Sequence, residues 1–97
     1  MATYLLLSKF TEQGIKNIKE APARIDAFKK SAGKFGAEIR EVYLASGRYD
    51  TASLVSAPDD ESMCKLALAL GSLGNVHTET LRLFSETEAK KILSAMP

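Results

Sequence analysis

Four stretches with strand periodicity, interrupted by two helical ones, constrain this chain more than any other feature of its sequence. Residues 2–10 (ATYLLLSKF) are short and apolar on both faces, which suits a covered strand. Residues 37–44 (AEIREVYL), 49–56 (YDTASLVS) and 75–84 (NVHTETLRLF) alternate in period two, the first two of these being joined by the turn-forming Ala45-Ser46-Gly47-Arg48 as a hairpin. With 97 residues there is room for one domain only, residues 1–97.

The helical stretches carry their own start and stop signals. Thr11 is an N-cap ahead of Glu12-Gln13-Gly14, with Ile15 and Ile18 beginning an inward stripe. Pro22 interrupts that helix and opens a second, whose stripe runs through Ile25, Phe28, Ala32 and Phe35 until Gly33 and Gly36 stop it. Pro58-Asp59-Asp60-Glu61 begins the next helix with an Asp cap and negative charge at the positive end of its dipole, and Met63, Leu66, Ala67 and Leu70 form its buried side. Ser85-x-x-Glu88 has the form of a capping box and opens a C-terminal helix through Leu93. The resulting order, strand, helix, strand, strand, helix, strand and a terminal helix, is the split βαβ plan of an α+β ferredoxin-like sandwich, with both crossover helices on one face of an antiparallel sheet.

Strand parity sorts the sheet residues into two sets. Leu5, Leu7, Val42, Leu44, Ala52, Leu54, Leu81 and Leu83 are uniformly aliphatic and are expected beneath the helices. The other set mixes Tyr4, Leu6, Ser8, Ile39, Glu41, Tyr43, Tyr49, Thr51, Ser53, Val55, Val76, Thr78, Thr80 and Arg82, and is expected on the open face. An open face that carries tyrosines and aliphatics is a large apolar patch, so a homodimer with facing sheets is expected, enclosing a small organic, weakly acidic ligand or a packed interior.

Composition removes several classes. Thirteen basic and twelve acidic residues leave a formal charge of +1, which lacks the basic excess that phosphate backbones demand, so nucleic acid is not an expected partner. The apolar runs are far shorter than the roughly 20 residues that cross a bilayer, and the N-terminus lacks the pattern of a secretory signal, so no membrane association and a cytoplasmic location are expected. The single Cys64 has no internal disulfide partner, and beside the single His77 it makes no metal-ligand cluster. No phosphate loop or nucleophile elbow is present, so no cofactor is expected.

Several of these segments, taken in order, resemble one known family. Gly47-Arg48-Tyr49-Asp50, the Thr11-x-x-Gly14 helix start, Ala57-Pro58-Asp59-Asp60-Glu61, Leu68-Ala69-Leu70-Gly71 and residues 74–82 (GNVHTETLR) together resemble the GYD domain family, from Tyr4 to about Ile92. The resemblance implies a ferredoxin-like domain that dimerises into an α/β barrel. Related dimeric barrels include cofactor-independent monooxygenases, isomerases, haem-degrading enzymes and stress-responsive proteins, and fold alone does not choose among them.

The candidate site residues each have a structural and a chemical reading. Tyr49 either packs on the sheet, with Gly47 allowing the turn and Asp50 capping a backbone group, or offers its phenol to a ligand or as a catalytic acid. Tyr43 and Tyr4 share its expected face. His77 is the side chain whose ordinary pKa lies nearest neutrality; on the helix-side parity it packs or caps near Gly74 and Asn75, or it moves a proton. Arg82 shares the expected open face with Glu41, either as an ion pair or as the receiver of a ligand carboxylate. The ligand-binding set is therefore Tyr43, Tyr49, Arg82 and Glu41, with Tyr49 and His77 as catalytic candidates, in a chain that is either a binding module, a cofactor-free enzyme or a structural protein. Cys64 reads as a small packed hydrophobe.

Overall fold

A computed structural model describes all residues, 1–97. The strands are β1 (Ala2–Phe10), β2 (Glu38–Leu44), β3 (Thr51–Ala57) and β4 (Val76–Leu83), and the helices α1 (Glu12–Lys16), α2 (Ala21–Ala32), α3 (Asp60–Ser72) and α4 (Glu86–Ser94). All strand pairs are antiparallel, in the spatial order β2-β3-β1-β4. The α+β ferredoxin-like plan read from the sequence is therefore the observed one.

Each helix begins where its cap requires. The Thr11 hydroxyl accepts from the Gly14 N–H at 3.1 Å, the Asp59 carboxylate from the Ser62 N–H at 2.8 Å, and Ser85 with Glu88 completes a reciprocal capping box at 3.2 and 3.0 Å. Pro22 sits in the first turn of α2, where its missing N–H costs nothing. Gly36, with φ of 71°, ends the 3-10 turn that follows α2. The Glu88 carboxylate has its pKa lowered, chiefly by the hydrogen bond it accepts from the Ser85 backbone N–H. Replacing Ser85 by Ala is expected to cost α4 about 1 kcal/mol, read as a loss of helical ellipticity on mild heating.

On β1, β3 and β4 the sheet faces are the reverse of the parity expectation. Tyr4 and Leu6 are each only 2 % exposed, and Ser8, Ser53 and Val55 are buried with them beneath α2 and α3. The neighbouring positions Leu5, Leu7, Ala52, Leu54, Leu81 and Leu83 thus lie on the face that no helix covers, with Leu81 41 % exposed. Alternation separates the two sets of a strand but does not state which set the crossovers will cover; the connections through α2 and α3 decide that.

A register shift between Ile39 and Glu41 confines the reversal on β2 to Ile39 and leaves Glu41, Tyr43, Val42 and Leu44 on the faces expected for them. Ile39 pairs with buried Val55, but Glu41 pairs with Leu54 and Tyr43 with Ala52. The extra residue, Arg40, moves Glu41 and Tyr43 to the open face and Val42 and Leu44 to the helix face, so the strand changes phase part-way along.

The core occupies one end of the sandwich. Tyr4, Leu6, Ala32, Ala37, Val55, Ala57, Met63 and Leu66 form one buried cluster. Ile15 and Ile18, expected inside, are 55 % and 40 % exposed, because α1 stops at Lys16 and its stripe never continues into α2. Cys64, expected as a packed hydrophobe, is exposed on α3. Helix α4 extends from the end of β4 with Ile92 and Leu93 uncovered, and the molecule measures 51 × 30 × 18 Å.

Candidate functional site

The open face is an aliphatic field with polar pairs at its margin. The Tyr43 hydroxyl donates to Glu41 Oε2 at 2.6 Å on β2. On the other side, Tyr49 reaches across from the β3 end to donate to Glu79 Oε1 at 3.0 Å on β4. Glu79 pairs with Leu7, and His77 with Lys9, which puts both on this same face. Each phenol has its pKa raised, first because its proton is shared with a carboxylate. That direction keeps the hydroxyls protonated at neutral pH, as hydrogen-bond donors, and moves them away from the range of an efficient general acid.

The segment before β3 shows why Tyr49 is aimed there. Gly47, with φ of 143°, allows the turn. Asp50 then locks it: its carboxylate accepts from the Phe10 N–H at 2.8 Å and its own N–H donates to Ser8 O at 2.8 Å. Asp50 is thus the capping residue of the structural reading, and Tyr49 is delivered to β4 by it.

Arg82 belongs to a different place. It pairs with Tyr4 on the helix side of β4, its guanidinium lies 5.6 Å from the Tyr4 ring and 4.4 Å from the Phe84 ring, and it approaches Glu88 at 3.9 Å. The expected Arg82–Glu41 pairing does not form, because Glu41 is turned to the open face and bonds Tyr43. Tyr4 likewise leaves the other tyrosines: its hydroxyl donates to Asp60 Oδ1 at 2.5 Å. Tyr4, Asp60 and Arg82 line a groove of about 660 Å³ between α3 and β4, together with Cys64, Thr78 and Thr80.

Burial, followed by the bond to Asp60, pushes the Tyr4 phenol up to about 12. Because the folded value lies above the unfolded one near 10, the stabilisation is fully present below pH 10 and is lost as pH rises towards 12. Chemical denaturation followed across that window is expected to show falling stability in the native protein and a flatter profile in Tyr4→Phe; equal slopes would contradict it.

Tyr43, Tyr49 and Glu41 therefore share one face, His77 stands near its β4 margin, and Arg82 is on the other. Glu79 and Asp60 lie outside the set of site residues expected from the sequence. Glu79 carries a signal, since a charged residue on a strand otherwise rich in Thr and Leu marks a margin; Asp60 belongs to the helix-start pattern, and only the fold brings it to Tyr4.

Comparison with known proteins agrees with this architecture. The GYD domain model matches residues 4–93. A Thermus thermophilus protein named "Glutamine synthetase and cystathionine beta-lyase binding protein" is 32% identical over 82 residues, covering 84% of this chain and 86% of the relative. Among solved structures, TTHA0845 of Thermus thermophilus superposes with a TM-score of 0.57 at 27% identity, covering 87% of this chain and 94% of that one. The feast or famine regulatory protein of M. tuberculosis, complexed with L-methionine, superposes with a TM-score of 0.68 at 15% identity over 88% of this chain, which spans about half (51%) of the regulator's length. The last likeness is one of fold alone. With the family model matching nearly end to end and a relative of such identity aligned over most of both chains, the chain belongs to the GYD domain family.

Proposed function

We propose that the chain is a cytoplasmic binding protein that works as a homodimer, two copies meeting through their open sheet faces, and that the dimer docks on metabolic enzymes. The observation that carries the assembly is the aliphatic field of Leu5, Leu7, Leu54, Leu81 and Leu83, half-buried apart from the exposed Leu81 and covered by no helix of the same chain. Contiguous apolar surface of this kind is costly to leave in water and marks a contact surface. A two-fold arrangement puts the same patch on both partners, which a self-complementary aliphatic layer satisfies. Enzyme docking is supported by the Thermus thermophilus relative, whose name gives glutamine synthetase and cystathionine β-lyase as its partners. Sedimentation velocity at micromolar concentration is expected to return a dimer, and immobilised protein is expected to capture purified glutamine synthetase or cystathionine β-lyase. A monomer in the first experiment removes the assembly; no capture of either enzyme removes the docking.

A second reading, a small organic molecule held between the paired sheets, is favoured by the two phenols on the open face. Each phenol faces a carboxylate and the cationic Arg82 lies on the other side of the sheet, so this space suits a neutral molecule better than the weak acid expected from the sequence. Native mass spectrometry of the purified dimer is expected to retain such a molecule, and mass equal to two bare chains counts against it.

A further inference from the structure

The core described above fills only one end of the space between helices and sheet. At the other end, Ser8, Thr51 and Ser53 form a patch of small helix-facing residues on β1 and β3, walled by the bulkier Phe10, Val42, Leu44 and Val76. Ser8 and Thr51 spend their hydroxyls on one another. Above them α2 offers Ile25 and Phe28, each half-buried, and α3 offers Leu70. The result is a cavity of about 560 Å³, lined by 21 residues of which 14 are hydrophobic. That volume lies within the roughly 300–1,000 Å³ of ordinary small-molecule sites.

The polarity of this cavity is one-sided. Arg24 is the single charged residue in its wall, and no Asp or Glu joins it. The guanidinium is held in place by donating to Asn17 O at 2.9 Å and Gly14 O at 3.2 Å. Five N–H donors are available on an arginine, so two anchored contacts leave others for a guest. A cation beside an apolar chamber with no countercharge is complementary to a molecule with an apolar body and one anionic end.

We propose that the cavity between α2, α3 and the sheet is a binding site for an amphipathic monocarboxylic acid, its carboxylate at Arg24 and its apolar body over Ser8 and Ser53. This site is separate from the open face and stands whether or not the chain dimerises. Occupancy supplies the packing that Ser8, Thr51 and Ser53 do not, so the bound protein is also the more stable one.

Decanoate, with 1-decanol as its uncharged counterpart, provides the test by calorimetry and amide NMR. Decanoate is expected to bind one molecule per chain, to shift the amides of Ser8, Ser53, Phe28 and Leu70, and to leave those of Leu81 and Leu83 unmoved. Arg24→Gln is expected to weaken decanoate by roughly tenfold, as loss of a charge-assisted hydrogen bond does, while leaving 1-decanol unchanged. Ser53→Phe, which fills the chamber, is expected to abolish binding of both. Absence of binding at millimolar decanoate, shifts confined to the open face, or an Arg24→Gln affinity equal to the native one would each overturn the proposal. The NMR map on the native protein decides it even if Ser53→Phe does not fold. Dimer formation is read separately by sedimentation, so failure of either idea is recognised without the other.

Discussion

Leu54→Asp is expected to convert the proposed homodimer into well-folded monomers. Leu54 lies on the open face between Leu5 on β1 and Glu41 on β2, near the centre of the aliphatic layer. Two-fold symmetry doubles every substitution, so an interface of facing sheets would hold two carboxylates in its apolar middle, each without a partner. A penalty of about 2 kcal/mol per copy, the scale for burying an uncompensated polar group, sums to about 4 kcal/mol and a thousandfold weaker association. The fold itself should tolerate the change, because Leu54 is only half-buried in the single chain and contributes nothing to the cluster around Met63 and Leu66. Sedimentation velocity should therefore show the monomer at concentrations where the native chain sediments as the proposed dimer, with the far-ultraviolet dichroism unchanged. An unaltered dimer would mean that association runs through another surface.

Gly14→Ala is expected to lower stability by about 2–3 kcal/mol, in the range of overpacked cores. An alanine in place of a helical glycine ordinarily stabilises by roughly 0.5–1 kcal/mol, so the sign itself is informative. A Cβ at Gly14 would stand 2.0 Å from the Asn75 carbonyl oxygen, a backbone atom that cannot swing aside. That carbonyl is also committed, accepting from the Thr11 N–H at 3.0 Å, while the Thr11 hydroxyl donates to Gly74 O at 2.6 Å and Gln13 Nε2 donates to Leu73 O and Asn75 Oδ1 at 3.2 and 3.0 Å. Moving α1 away to admit a methyl group would loosen this whole set and the start of β4 with it. For a domain of this size, thermal unfolding should occur about 10 °C lower or more. A variant as stable as the native protein would show that α1 shifts freely.

The local grammar of the fold was legible because it depends on neighbours in sequence. Asp59, Ser85 and Glu88 satisfy N–H groups within three residues, so their spacing alone announces a helix start. Pro22 likewise divides α1 from α2 through its own ring geometry. The site was less legible. Tyr49 and Glu79 are thirty positions apart and Tyr4 and Asp60 fifty-six, and nothing local in either member specifies the other.

What the chain determined by its sequence was the set of elements, their order and the two residue sets of β1, β3 and β4, since periodicity and capping are local physics. The tertiary structure decided which set is covered. Crossover connections, which no single strand encodes, carried the helices over Tyr4, Leu6 and Val55 and left the leucines of the other parity uncovered; the added residue at Arg40 then switched β2 part-way, sending Glu41 and Tyr43 to join them. An aliphatic row is stable beneath a helix or against another protein alike, because apolar burial has no direction, and so composition could not tell these two destinations apart.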